Sequence, residues 1–229
     1  MKNFCLLLFV LFASFCYSQK SYSFDYVLEF DNAISLKKDK KEYAIKAYLV
    51  NSTKNNFILY LGESDSLKLS FHFLDQEGIS LKSTIDKNLF IKSKTIATIC
   101  KNVTRYVNPF KFQVNNYEFL NMNDTIINQQ SYYHYCIKST RSLKYQKRKK
   151  IATIHYIVDK NSPDFLPFLT LPTCYEEWKK ERNIPNGIPY TIYHKNREGE
   201  ITFKMQLKSS TKIDKFLVVP EECDYTKIE

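Results

Sequence analysis

Apolar and polar residues alternate along most of this chain, and a period of two is typical of strands that bury one face. The longest alternating run places Tyr22, Phe24, Tyr26, Leu28 and Phe30 on one side of a strand. Further runs that we assign as strands occupy residues 42–50, 57–61, 67–73, 79–81, 89–91, 95–100, 110–114, 125–127, 132–138, 150–158, 190–194, 201–207 and 213–219. Because turn-forming residues separate most neighbouring runs, we predict an antiparallel meander that forms a curved sheet or a half-open barrel.

The strands at 132–138 and 150–158 are predicted to form a central hairpin, around which the other strands complete the sheet. When their apolar faces are matched, Tyr133 lies opposite Tyr156. The fold class that follows is all-β.

Two histidines and a cysteine meet on the other face of this predicted hairpin. His134 lies opposite His155, and Cys136 is one step further along the same face. Such a cluster could bind a soft metal ion or form a reactive dyad. A half-exposed sheet face with ordinary polar residues explains the pattern equally simply, and we adopt that interpretation. We therefore predict no catalytic residue, no metal site and no cofactor.

One helix is predicted, near residues 173–182. Thr173 and Glu176 have the spacing of a capping box, which is a signal for a helix start. Tyr175 and Trp178 share a face of this helix, and we expect that face to pack on the sheet as a partial lid.

The first eighteen residues have the pattern of a secretory signal peptide. Lys2 supplies the positive charge, residues 4–15 are apolar, and Ser18 ends the segment. We predict cleavage before Gln19, which leaves a single antiparallel β domain over residues 19–229. The protein is then expected in the periplasm or outside the cell.

A lipoprotein signal is the alternative for this segment, with lipid attached to Cys16. That signal needs a small residue just before the cysteine, and Phe15 stands there instead. We therefore favour simple secretion. No later apolar stretch is long enough to predict a transmembrane helix.

A family resemblance is carried by two segments. Residues Gly187 to Pro189, followed by a strand, a glycine turn and an alternating strand, resemble the region that names the GLPGLI family of secreted bacterial envelope proteins. Residues 127–138 are similar to that family's preceding cysteine-containing strand, although Tyr190 and Thr191 stand where the motif has Gly and Leu. The resemblance implies an envelope location and a curved antiparallel sheet, and no chemistry. More distantly, the layout is similar to the half-open barrels of LolA-like lipoprotein carriers.

Four cysteines lie beyond the predicted signal peptide: Cys100, Cys136, Cys174 and Cys223. An even number in an exported chain favours disulfides, and four cysteines allow three pairings. Proximity in the sequence leads us to predict that Cys174 pairs with Cys223 and that Cys100 pairs with Cys136.

The charge of the chain is concentrated in one connection. The formal net charge is +10, and residues 138–150 contain no acid. The basic residues of this connection are Lys138, Arg141, Lys144, Lys147, Arg148, Lys149 and Lys150. The connection is either a solvated, mobile hairpin tip or a contact for an anionic envelope surface, and an exported chain is not expected to bind nucleic acid.

Three functions remain open at this point. A binding or carrier module would hold an apolar or lipid-like ligand in a groove lined by Tyr133, Tyr135, Trp178 and Phe203 beneath the helix. A structural or assembly protein of the envelope would have a closed core there instead. An enzyme is the least favoured, because nucleophile elbows, P-loops and metalloprotease motifs are absent from the sequence. The sequence does not indicate the oligomeric state.

Overall fold

The computed structural model describes residues 19–31 and 45–227. The predicted signal peptide, its cleavage site and the first residues of the predicted strand at 42–50 lie outside this part. The described residues contain twelve strands: β1 (Lys20–Asp31), β2 (Ile45–Asn51), β3 (Lys54–Glu63), β4 (Lys68–Asp75), β5 (Ile79–Asp86), β6 (Thr95–Ala97), β7 (Val103–Arg105), β8 (Tyr117–Ile127), β9 (Gln130–Ser139), β10 (Thr153–Asp159), β11 (Pro189–Lys195) and β12 (Ile201–Val219).

All twelve strands belong to one sheet, which is open and mainly antiparallel, as the alternating pattern predicts. Its main path runs in the order β7-β5-β4-β3-β2-β1-β12-β11-β10-β9-β8. β6 lies off this path and pairs with β12 in parallel. Consecutive strands are neighbours over most of the path, as expected for a meander.

The long strand β12 connects the two halves of the sheet, β1 to β7 and β8 to β11. Its first part pairs with β11, and its last part pairs with β1 on one side and with β6 on the other. β6 follows β5 after only eight residues, although β5 lies five strands away from β12 along the sheet. The sheet from β1 to β5 must therefore curl back toward β12, and an opening remains between β5 and β6.

The residues of β1 serve two separate cores, which the alternating pattern does not predict. Leu28 and Phe30 pack in a helix-side core with residues of β9, β10 and the segment 165–184. Tyr22 and Phe24 pack in a barrel-side core with residues of β2 to β5 and the end of β12. The pairing register of β1 with β12 is interrupted between Phe24 and Tyr26. This irregularity changes which face each residue presents, as a bulge does.

Three α-helices lie in the described part: α1 (Lys87–Lys92), α2 (Leu143–Lys149) and α3 (Pro172–Glu181). α3 is the predicted helix, but the predicted capping box is wrong. Leu171 is the residue before the first turn, and Pro172 occupies the first turn because its fixed φ suits a helix start. Thr173 is thus inside the helix, and Glu176 instead accepts a hydrogen bond from the Asn108 side chain at 2.9 Å.

Three other local predictions are wrong. The run at 89–91 lies in α1, where Asp86 caps the helix by accepting from the N–H groups of Asn88 and Leu89. The run at 110–114 overlaps a 3₁₀ helix, Lys111–Asn116. The predicted strand at 125–127 is too short, because these residues are the end of β8, which begins at Tyr117. The basic connection, predicted as a mobile tip in one of its two readings, contains α2.

The predicted disulfide pairings are also wrong. Cys100 is bonded to Cys223, with 5.4 Å between their Cα atoms. Parallel pairing of β6 with β12 explains this, because the chain after β6 and the chain after β12 leave the sheet at the same end. Cys136 and Cys174 are both buried and unpaired.

None of the helices in the described part is both long enough and apolar enough to cross a membrane.

Candidate functional site

The predicted groove beneath α3 is filled by side chains. Tyr135 and Trp178 are buried in the helix-side core, and Phe203 packs partly buried against it. The Tyr135 ring stacks on the Tyr156 ring, with 4.6 Å between centroids and 2° between planes. Tyr133 lies apart from them, 40% exposed, with the Lys160 ammonium 4.8 Å from its ring centre. The structure therefore places two of these four residues in the core.

Helix α3 is also held down at both of its sides by polar contacts. The Tyr175 hydroxyl donates to Glu77 at 2.9 Å, next to the turn between β4 and β5. Asn108 donates to Glu176 at 2.9 Å and accepts from the N–H of Phe110, so the loop before the 3₁₀ helix is fixed against α3. Arg182 lies over the Trp178 ring at 3.6 Å from its centre. The lid is closed in this structure.

The opening between β5 and β6, which we call the β5–β6 opening, contains a cavity of about 450 Å³. Its lining residues come from β4, β5, α1, β6 and the 3₁₀ turn that follows: Phe71, Ser83, Thr84, Ile85, Asp86, Leu89, Ser93, Thr95, Ile96, Ala97, Thr98, Ile99 and Asn102. Phe71 and Ile96 are buried members of the barrel-side core. The side chains at the floor of the β5–β6 opening are thus apolar and belong to this core.

Large apolar side chains stand exposed around this opening. Leu89 is 55% exposed and Ile99 is 60% exposed, and both line the cavity. Ile91, on the same short helix as Leu89, is 73% exposed. Of the α1 residues, only Phe90 is buried, because a six-residue helix covers little of the sheet. Sequence reasoning missed this site because it assigned 89–91 to a strand; Asp86 followed by the apolar residues 89–91 was an available capping signal.

A second depression, of about 680 Å³, lies across β3, β4 and β5. Its walls include Tyr60, Ser70, His72 and Lys82. The His72 ring stacks on Tyr60 at 5.6 Å and shares a hydrogen bond with the Ser80 hydroxyl at 3.1 Å. Burial lowers the pKa of His72, and the nearby Lys82 lowers it further. This depression is the larger of the two and shares Phe71 and Ser83 with the β5–β6 opening. Its other walls come from β3, β4, β5 and Ser64 in the turn after β3.

The predicted histidine cluster exists, but the register of the hairpin differs from the prediction by two residues. Tyr156 lies opposite Tyr135, and His155 lies opposite Cys136. The prediction that His134 faces His155 directly is wrong, because the connection contains a helix whose length the alternation does not reveal. A shift by two preserves the faces, so the His134 and His155 side chains still meet diagonally.

The two imidazoles form a hydrogen-bonded pair on the face away from the helix-side core. His134 Nε2 lies 3.0 Å from His155 Nδ1, and the His155 ring stacks on Tyr193 at 4.7 Å. Burial lowers the pKa of His155 to about 4, with smaller contributions from His134 and Lys195. Burial also lowers the pKa of His134, and Lys195 contributes. Both rings are therefore uncharged at neutral pH, and one of them donates to the other.

This cluster does not amount to a metal centre. In residues 19–31 and 45–227, no group of three or more His, Cys, Asp and Glu side chains is arranged to hold a metal ion. Burial raises the pKa of the Cys136 thiol, and burial raises that of Cys174 to about 12. Neither thiol is a ready nucleophile, because the reactive form of cysteine is the thiolate.

The basic connection forms an ordered surface. We use the name basic surface for the exposed residues Lys138, Arg141, Lys144, Lys147, Arg148, Lys149 and Lys150 together with Phe112 and Leu143. The Ser142 hydroxyl caps α2 by accepting from the N–H of Tyr145 at 3.4 Å. A depression of about 190 Å³, lined partly by Phe112, Arg141 and Tyr145, separates α2 from the 3₁₀ helix.

The comparisons with known proteins give a distant fold likeness. No family model matches the chain, so the GLPGLI resemblance receives no support, and no curated protein matches it. Among solved structures it is similar to Pseudomonas aeruginosa MucB in complex with MucA, with 6% identity over 84% of this chain and 52% of that chain and a TM-score of 0.32. It is also similar to a crystal structure of MucB, with 7% identity over 85% of this chain and 54% of that chain and a TM-score of 0.29.

A third similar structure is a domain from Vibrio parahaemolyticus described as an outer membrane lipoprotein-sorting protein, with 10% identity over 84% of this chain and 85% of that chain and a TM-score of 0.24. A domain of the LolA-like kind named by the sequence resemblance is therefore among the similar structures. The chain spans about half the length of the MucB chains that it matches.

Proposed function

We propose that this protein is an exported binding module that holds an amphiphilic ligand with an apolar body in the β5–β6 opening. The observation that carries this proposal is the cavity of about 450 Å³ in the gap between β5 and β6. Cavities that bind small molecules typically measure about 300 to 1,000 Å³. The proposal keeps the apolar or lipid-like ligand that the sequence suggested, but moves it away from α3.

The lining of the opening favours a ligand with two kinds of surface. Phe71 and Ile96 form an apolar floor, and Leu89 and Ile99 would lose solvent contact when a ligand enters. Each square ångström of apolar surface removed from water contributes roughly 25 cal/mol. The hydroxyl groups of several lining residues can bond a polar end: Ser83, Thr84, Ser93, Thr95 and Thr98.

The same lining supports binding over catalysis. Asp86 is the one ionisable residue in it, and its carboxylate already accepts hydrogen bonds from the N–H groups of Asn88 and Leu89. General acid–base chemistry or an activated nucleophile would need a second titratable group within hydrogen-bonding reach. We therefore assign the opening a binding role.

Fluorescence titration with an uncharged apolar dye, N-phenyl-1-naphthylamine, tests the site. Ala97→Phe should fill the cavity, since Ala97 lines it and is itself exposed, and Ile99→Asp should make its rim polar. We expect each variant to bind the dye at least about tenfold more weakly than the wild type. Ile126→Asp is the matched control, because Ile126 is 75% exposed on β8 and lines none of the cavities described above.

Equal dye affinity in the wild type and in Ala97→Phe would contradict the proposal. Native mass spectrometry of the protein purified from its own cell envelope then identifies the ligand class, with Ala97→Phe expected to lose any co-purified molecule. A structural or assembly protein is the second candidate, and the filled helix-side core favours it. A wild type that carries no small molecule and binds no dye would decide for that alternative.

A further inference from the structure

We propose that the basic surface docks the protein onto an anionic phospholipid surface. This inference is independent of the ligand site, because the depression beside the basic surface shares no lining residue with the β5–β6 opening. In this proposal the basic side chains bind the headgroups, and exposed apolar side chains beside them enter the acyl boundary.

The charge of the basic surface is not neutralised by the protein. All seven of its Lys and Arg residues are exposed, and none of them forms an ion pair with another residue of the described chain. Glu118 lies opposite Lys138 on the neighbouring strand, but the depression beside α2 is lined by no acidic residue. Uncompensated basic charge on one face produces a field that attracts anions.

The charges are held by an ordered element. The Gln146 side chain donates to the backbone carbonyls of Ser139 and Arg141, at 3.1 and 2.6 Å. Lys150 ends α2 in the left-handed conformation, and its N–H bonds the carbonyls of Gln146 and Lys147. The loop is also joined to the neighbouring 3₁₀ helix, since the Thr140 N–H donates to the carbonyl of Asn116 at 2.9 Å. A fixed array loses less conformational entropy on binding than a mobile tip would.

Apolar side chains stand exposed beside these charges. Phe112 is 76% exposed and Leu143 is 60% exposed. Phe112 and Tyr145 line the same depression, and the guanidinium groups of Arg141 and Arg148 lie 5.8 and 5.5 Å from the centre of the Tyr145 ring. Basic residues interleaved with exposed aromatic and aliphatic residues match a lipid surface, where headgroups take the cations and the acyl boundary takes the apolar side chains.

Sedimentation with lipid vesicles tests the proposal. We expect the full mature chain to bind vesicles of phosphatidylcholine with about 30% phosphatidylglycerol, and to bind pure phosphatidylcholine at least tenfold more weakly. Binding should fall when salt is raised from about 50 to 500 mM, because salt screens exposed charges. Equal binding to both vesicles would overturn the proposal.

Two variants of equal charge separate the basic surface from net charge alone. Lys147→Glu/Arg148→Glu/Lys149→Glu should lose at least about tenfold in affinity for the anionic vesicles. Lys101→Glu/Lys208→Glu/Lys212→Glu changes the same number of exposed lysine or arginine charges elsewhere and should keep its affinity within about threefold. If the control variant loses as much, the binding follows net charge and the proposed surface is wrong.

The apolar part has its own test. Phe112→Ser should weaken binding to anionic vesicles several-fold while the salt dependence remains, because the lost contribution is apolar burial. No loss in Phe112→Ser would remove Phe112 from the docking surface. Circular dichroism confirms folding of each variant, and unchanged dye binding in the β5–β6 opening separates failure of docking from failure of the ligand site.

Discussion

The two faces of this sheet are covered by helices of different length. The longer helix closes the core beneath it, and the shorter helix leaves an opening. α3 has ten residues and buries Cys174, Tyr175 and Trp178 against the helix-side core. α1 has six residues and buries Phe90 alone, so the barrel-side core remains accessible through the β5–β6 opening. A longer helix can present two successive turns of one face to a sheet, whereas a helix of six residues presents little more than one.

The cysteines follow the same division. We call the half of the molecule around the helix-side core the closed side and the half around the β5–β6 opening the open side. The closed side contains Cys174, which is buried, has a raised pKa and forms no disulfide. The open side carries the Cys100–Cys223 disulfide, and Cys100 lies between the cavity-lining residues Ile99 and Asn102. This distribution suggests that packing stabilises one half of the molecule, while a covalent link compensates for incomplete packing in the other.

The largest effect is expected from removing that link. Cys100→Ser with Cys223→Ser opens a loop whose ends are 123 residues apart in sequence. In the chain-entropy model this should lower the free energy of unfolding by about 4 to 5 kcal/mol. Urea denaturation of the double variant and the wild type measures the difference.

Thiol labelling provides the control for the disulfide prediction. In the wild type, Cys136 and Cys174 should react with a maleimide only after unfolding, because both are buried with raised pKa values. The Cys136→Ser variant should retain the disulfide. Four reactive thiols in the unfolded wild type without reductant would contradict the assigned pairing.

The second prediction compares truncation on the two sides directly. Trp178→Ala should lower the free energy of unfolding by about 3 to 5 kcal/mol, because Trp178 is 8% exposed and its removal leaves a cavity. Leu89→Ala should cost less than about 0.5 kcal/mol, because Leu89 is already half exposed. Urea midpoints of the two variants are compared. Similar losses would mean that α1 closes the opening in solution.

The alternating pattern predicts the strands well and the cores poorly. Alternation in β1 identifies the strand, yet Phe24 and Leu28 belong to different cores because the pairing with β12 is interrupted between them. An irregularity of this kind depends on the neighbouring strand, so the sequence of β1 alone cannot reveal it. The register of the central hairpin differs from the prediction for a similar reason, since the length of α2 sets which residues face each other.

The candidate site is the part that the sequence predicts least. Leu89 and Ile91 are apolar residues at a spacing that fits a strand, and only the capping contact of Asp86 identifies the helix. The neighbouring wall, β6, is three residues long and pairs in parallel with a strand more than a hundred positions away. A local sequence pattern cannot predict the pairing of β6 with β12. The Cys100–Cys223 disulfide depends on that pairing, so the sequence does not predict it either.

The third prediction concerns the hydrogen bonds that hold α3 against the neighbouring loop. Asn108, which is 9% exposed, bonds Glu176 and the N–H of Phe110. Asn108→Ala should cost about 1 to 3 kcal/mol, because it leaves buried polar groups without partners. Asn186→Ala, which removes an exposed bond to the Pro163 carbonyl, should cost less than about 1 kcal/mol. Thermal melting compares the two variants, and equal shifts would show that the contact at Asn108 does not fasten α3.

The smallest effect is expected from the histidine pair and depends on pH. The folded pKa of His155 is about 4, below its usual value of 6.5, so the unfolded chain binds the proton more readily. The stabilisation is present above about pH 6.5 and is lost as the pH falls toward about 4. His134, Cys136, Tyr193 and Lys195 surround the ring, and none is an acid that could retain the proton in the folded state.

Chemical denaturation at about pH 7 and pH 5 measures this linkage. The wild type should lose on the order of 1 kcal/mol more than His155→Gln between these values, a figure that allows for solvent screening of a ring near the surface. His194→Gln is the comparison variant. Burial also lowers the pKa of His194, which lies outside the pair, so this variant should remove only its own share of the pH-dependent loss and keep the share of His155. Equal pH dependence in the wild type and His155→Gln would show that the pKa of His155 is not lowered in the folded protein.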